Sequence, residues 1–198
     1  KEYPFYILPS KMMNITAIRI PEILIGNLFN SAIVGNYSLT NRVIKTPIST
    51  ISKSFSDVFR ETAINDRYKY GNYRKLFNKT LKRLLIIGIP GFGVLAVLAP
   101  FVFPLVFGEN WSDAGYYASI LALAYLGEFI ALPLLNAFKI SRKEHYEIPW
   151  QIGFLISSIL PFIIGSIYNL NFFLVLGIFA LLKFVVFFIG ILYGKKLS

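Results

Sequence analysis

The sequence predicts an all-α integral membrane protein of six transmembrane helices, and three observations predict it. Of 198 residues, 56% are hydrophobic and 17% aromatic, with a mean hydropathy of +0.61, which is more apolar surface than one soluble core of this length can hide. The apolar residues gather in runs long enough for a hydrocarbon layer about 30 Å thick, or roughly 20 helical residues. The basic residues gather between those runs on one side only.

The expected spans are 10–34, 37–59, 84–107, 114–138, 148–168 and 171–193. The third and fifth carry no charge, which makes them plain spans. The fourth and sixth each enclose one ionisable residue, Glu128 and Lys183, in an otherwise apolar run. The first holds Arg19 and Glu22 three residues apart, a spacing that lets them pair on one helix face. The second is two-faced. Ser38, Arg42, Lys45, Ser49, Ser52, Lys53 and Ser56 fall within an arc of roughly 100°, while Val43, Ile44, Pro47, Ile48, Ile51, Phe55 and Val58 take the other side. A cation near the bilayer centre costs several kcal/mol, so this stripe requires water, partners or an anionic ligand and reads as the wall of an aqueous path.

The connections are lopsided in charge. Gly35-Asn36, residues 108–113 and Asn169-Leu170 hold no Lys or Arg, whereas the opposite side holds fourteen of the twenty basic residues, eight of them between Arg60 and Arg83. The positive-inside rule places both termini in the cytoplasm. The 60–83 segment, with Tyr68, Tyr70 and Tyr73 among its basic residues, reads as an amphipathic elbow on anionic membrane lipid, or else as a solvated basic loop. A net charge of +10 thus has a membrane explanation and requires no nucleic acid. Pro47, Pro90, Pro100, Pro104, Pro133 and Pro161 predict bent helices. Gly88, Gly91 and Gly93 suit a close helix contact or a kink eased by small residues, and Ser112 is the expected N-cap of the fourth helix. The chain opens on Lys1-Glu2 without an initiator Met, which reads as a piece of a longer polypeptide.

Catalytic chemistry is poorly represented. There is no cysteine and one histidine, His145, in a short basic loop with no second ligand for a metal. No phosphate-cradling glycine loop, nucleophile elbow or zinc motif occurs, and no cofactor is expected. Glu109 and Asp113 flank Trp111 in a short turn better explained by capping and interfacial anchoring than by a carboxylate pair.

Two motifs carry a family resemblance. Gly35-Asn36-Tyr37-Ser38-Leu39, continued by Asn41-Arg42-Val43 and Pro47, resembles the G-x-Y-S-L-x-x-R-V-x-x-x-P signature of Wzx-type polysaccharide repeat-unit flippases. The run from Phe107 to Gly115 resembles that family's F-G-x-x-W-x-x-A-G turn. Pro21-Glu22-Ile23-Leu24-Ile25-Gly26 and Phe55-Ser56-Asp57-Val58-Phe59 agree with it. The resemblance implies a MATE-like exporter fold of the multidrug/oligosaccharidyl-lipid/polysaccharide (MOP) superfamily, in which two six-helix lobes surround a cavity that opens alternately to either side. This chain then supplies the C-terminal lobe, and the N-terminal lobe of the same polypeptide is its partner. The implied cargo is an undecaprenyl-pyrophosphate-linked oligosaccharide, carried across the bacterial cytoplasmic membrane for lipopolysaccharide O-antigen or capsule synthesis by a transporter, not an enzyme.

Under that reading Arg42, Lys45, Lys53, Ser49, Arg19 and Glu22 are the cavity candidates, with Arg42 and Lys45 on the pyrophosphate. Glu128 and Lys183 lie at matching depths and are expected to pair, with Glu22 or Arg19 as rival partners, or Lys183 as a further cavity residue. Another exporter of the same fold, for drugs or peptidoglycan precursors, is the alternative. A membrane glycan polymerase fits less well, because the outer connections are only a few residues long.

Overall fold

The structure, a computed structural model, describes residues 3–141, 143 and 146–198. His145, Arg142 and Glu144 of the basic loop, together with Lys1, lie outside the described residues. The described chain is helical throughout: α1 (Tyr3–Leu28), α2 (Ser31–Tyr70), α3 (Arg74–Phe107), a 3-10 turn (Glu109–Trp111), α4 (Ser112–Leu134), α5 (Asn136–Ile140), α6 (Glu147–Ile167) and α7 (Phe172–Leu197). By length and composition four helical segments are able to cross a membrane: α3, the stretch Glu109–Ile140 that contains α4, α6 and α7. α1 and α2 do not meet that measure, since α1 carries Lys11, Arg19 and Glu22 and α2 carries the polar stripe.

Several boundaries differ from the sequence expectation for local reasons. The first break falls at Phe29-Asn30, where the Asn30 side chain accepts the Ile33 N–H at 2.9 Å and caps α2. Gly35 and Asn36 lie inside the helix instead, Asn36 buried and donating to the Ala32 carbonyl at 3.1 Å. Asn171 caps α7 in the same way, accepting from Leu174. Ser112 is not an N-cap. The 3-10 turn runs straight into α4, and no side chain caps that start. The helices also run unbroken through Pro47, Pro90, Pro100, Pro104 and Pro161, while α4 ends just beyond Pro133.

The basic segment forms the tip of a helical hairpin. α2 continues to Tyr70 and turns at Gly71, whose φ of 75° suits glycine because an L side chain is strained there. α3 begins three residues later, at Arg74. At 1.5 Å per residue α2 is about 60 Å long and α3 about 51 Å, so this helical hairpin outreaches a bilayer core of about 30 Å. Tyr68 and Tyr70 are exposed as an interfacial role requires, but Tyr73 is buried. Its ring meets Phe59 edge-on and its hydroxyl bonds Ser141 at 2.8 Å. Burial pushes the Tyr73 phenol above its ordinary value, with the Ser141 hydrogen bond and the Arg67 charge pulling the other way. Arg67 donates to the Ile140 carbonyl, which ties the hairpin to α5.

α4 is the hub, packed against α2, α3 and α7, while α1 lies on α6 and α6 on α7. Its small residues make this possible. A Cβ on Gly115 would sit 2.6 Å from the Ala99 carbonyl oxygen, and one on Gly127 would sit 3.2 Å from the Phe184 ring. Of the Gly88, Gly91 and Gly93 cluster only Gly88 meets a neighbour, Leu126, at 2.9 Å. The connections sort to two ends. Phe29 meets Phe172 and Gly35 faces Trp111 at the end without basic residues, whereas Tyr73, Ser141 and Leu197 join at the basic end.

Candidate functional site: a charged cleft within the bundle

Helical repeat brings three elements to one narrow cleft, whose open interior of about 20 Å3 has room for a water molecule. α2 contributes Tyr37, Asn41 and Lys45, spaced four apart and so on one face. α4 contributes Leu121, Tyr125 and Glu128 at steps of four and three. α7 contributes Phe179, Lys183 and Phe187, again four apart. Phe154 of α6 and Ala17 and Pro21 of α1 close the walls.

Inside the cleft Lys45 Nζ stands 3.8 Å from Glu128 Oε2, with both side chains partly exposed. The same ammonium lies 5.9 Å over the Tyr125 ring. The Tyr125 hydroxyl donates to Asn41 Oδ1 at 2.6 Å, which fixes the wall between them. Lys183, 5% exposed, donates to the Ser158 hydroxyl at 2.5 Å and to the Phe154 carbonyl at 3.2 Å. Its Nζ also sits 3.2 Å from the centroid of the Phe154 ring, where the ring quadrupole favours a cation. Two lysines and one carboxylate thus line this cleft, Lys45 and Glu128 partly exposed and Lys183 buried.

The sequence candidates divide. Lys45, Glu128 and Lys183 come together, but Glu128 takes Lys45 as its ion-pair partner instead of Lys183, whose head is satisfied by α6. Arg42, Ser49 and Lys53 remain on the exposed face of α2, with the Ser49 hydroxyl returned to the Thr46 carbonyl at 2.9 Å. Arg19 is exposed and does not pair with Glu22; the half-buried Glu22 accepts from Ser38 at 3.4 Å. Ser52 lies under the α2 face, buried, and its hydroxyl has no partner among the described residues. Tyr37 and Asn41 stood in the first sequence motif without a role at the site, and Tyr125 and Ser158 escaped the sequence reading. The four-residue step from Tyr37 through Asn41 to Lys45 was the available signal for the first two, and the Ser157-Ser158 pair inside an apolar span was the signal for the last.

Residues 2–115 match a family described as "Polysaccharide biosynthesis protein". The chain belongs to this polysaccharide biosynthesis family. The match covers α1 to α3 and the turn into α4, and so contains Arg42, Lys45 and both sequence motifs, while Glu128 and Lys183 lie beyond it. A curated relative is the teichuronic acid biosynthesis protein TuaB of Bacillus subtilis (strain 168), 23% identical over 150 residues, covering 75% of this chain and 31% of that protein. The chain thus matches under a third of the length of this family relative. No solved structure matches it at a significant level.

Proposed function

We propose that this chain forms the C-terminal six-helix lobe of a MATE-like flippase that carries an undecaprenyl-pyrophosphate-linked oligosaccharide across the bacterial cytoplasmic membrane during surface polysaccharide synthesis. The observation that carries the reading is the cleft in which Lys45 and Lys183 outnumber Glu128. Cations within a bundle of membrane helices are costly and mark a pathway or a ligand, and a pyrophosphate is an anion these two ammonium groups match. Arg42 adds a third cation on the exposed side of α2, one turn nearer the helix start than Lys45. Membership of the polysaccharide biosynthesis family supports the cargo class.

In this mechanism α1 and α2 cross the membrane with their polar faces toward the second lobe, which shields them from lipid. The basic end is cytoplasmic, and the pyrophosphate moves past Lys45 and Lys183 as the lobes rock and the narrow cleft beside them widens. A cation-coupled drug exporter is less favoured, because the carboxylate it needs for a cation is already engaged by Lys45.

The test is translocation of a fluorescent polyprenyl-pyrophosphate oligosaccharide by the full-length protein in proteoliposomes. Arg42→Ala with Lys45→Ala should slow it at least about tenfold, equivalent to about 1.4 kcal/mol, with abundance and insertion retained. Transport at the wild-type rate in the double variant would falsify the cargo-binding role.

A further inference from the structure

A second cleft, of about 310 Å3, opens toward the basic end between α1, α2, α5 and α6. Its lining sets neutral polar side chains among apolar ones. Asn14 donates to Gln151 Oε1 at 3.3 Å, and Asn136 donates to the Ser56 hydroxyl at 2.6 Å and to the Pro133 carbonyl at 3.1 Å. Gln151 is 5% exposed and donates no hydrogen bond among the described residues. Ser10 is 2% exposed, and its hydroxyl has no partner among them. A buried polar group left open in an apolar bundle costs about 1–3 kcal/mol, and the Ser10 hydroxyl is such a group. Its charged lining residues are the exposed Lys11 and Lys139 and the half-buried Glu147.

The two clefts follow one another along a shared seam. Ser10 and Asn14 line the second, and Ala17 and Pro21 continue the same face of α1 into the first. Trp150 of the second cleft stacks on Phe154 of the first, with ring centroids 5.4 Å apart and planes 15° apart. From Ser10 to Pro21 the helix rises about 16 Å, a distance that suits a ligand with an anionic group at one end and hydroxyls at the other. Carboxamides and hydroxyls both donate and accept, as sugar hydroxyls do, whereas a pyrophosphate only accepts and belongs with the ammonium groups.

We propose that the neutral sugar residues of the cargo bind in this carboxamide-lined cleft, through Ser10, Asn14, Asn136 and Gln151, while the pyrophosphate occupies the Lys45–Lys183 cleft. The proposal rests on the flippase reading and adds a separate site for the glycan.

The experiment measures binding of two lipids to the purified full-length protein in nanodiscs: bare undecaprenyl pyrophosphate, and the same carrier bearing a single N-acetylhexosamine. Ser10→Ala removes a hydroxyl that bonds nothing among the described residues and so should leave the fold intact. Gln151→Met keeps the side-chain length. Each variant should weaken the glycosylated carrier by about three- to tenfold, the worth of one hydrogen bond, and leave the bare carrier unchanged. Unchanged binding of the glycosylated carrier in both variants, or an equal loss for both lipids, overturns the glycan site and leaves the flippase reading standing. Failure of the wild-type protein to bind either lipid overturns both.

Discussion

Lys183 is the most demanding side chain in the bundle, because a nearly inaccessible ammonium on an apolar helix must find oxygen acceptors close by. It finds them on α6. The Phe154 carbonyl takes bonds from Lys183, Ser157 and Ser158, and the Ser158 hydroxyl takes a second bond from Lys183. Ser158→Ala leaves the ammonium short of an acceptor and should lower stability by about 1–3 kcal/mol. Lys183→Met removes the charge itself and should fold as well as wild type or better, yet transport poorly. Thermal unfolding of the purified variants beside the transport assay checks both, and a Lys183→Met protein that transports normally removes Lys183 from the path. Lys45 and Glu128 should couple by about 1 kcal/mol in a double-mutant cycle, since the pair is partly exposed. Glu128 and Lys183 should couple less. Both residues were legible in the sequence through the cost of a charge within a span. Their partners were not, because matching depth along two helices says nothing about the direction in which each side chain points.

At the scale of elements, α4 holds its position through residues that lack bulk. Gly115 lies against the α3 backbone itself, where no side chain can give way, so Gly115→Leu should abolish folded protein. Gly91→Leu, on the same pair of helices, meets open space and should be tolerated. Fluorescence-detected size-exclusion chromatography of the two variants separates these outcomes. Loss of Gly91→Leu as well would mean that a further surface covers α3. The Ala114-Gly115 pair of the second motif thus has a packing reason: Gly115 admits α3, and the Ala114 carbonyl accepts the Thr40 hydroxyl of α2 at 2.8 Å. Sequence reasoning found the motif without that reason. The 60–83 stretch shows the complementary failure. Its charge was legible and its shape was not, because Tyr73 reads equally well as an interfacial aromatic until its hydroxyl's bonds to Ala137 of α5 and to Ser141 are known.

For the whole molecule, charge divides the bundle into two ends, and the proposed orientation puts the basic end in the cytoplasm. This chain has no native cysteine, so single cysteines report cleanly once any in the other lobe are replaced. In the full-length protein, replacements at Asn30, Asn110 and Asn169 should react with an impermeant maleimide from outside, and those at Lys75 and Lys143 should not. Labelling at Lys75 with protection at Asn30 would invert the orientation, and labelling at both would remove α2 as a crossing helix.

The sequence by itself determined the all-helical membrane class, the apolar runs, the grouping of basic residues at one end and the few costly charges, since each is a property of composition or of position along one chain. Tertiary structure alone decided which of those charges meet. α4 and α7 are apolar nearly all round, so their periodicity names no inward face. In lipid the inward face is chosen instead by close packing at Gly115 and Gly127 and by the acceptors available on a neighbour. Lys45 therefore faces Glu128, Lys183 turns to Ser158, and Asn14 and Gln151 meet across 137 positions of sequence.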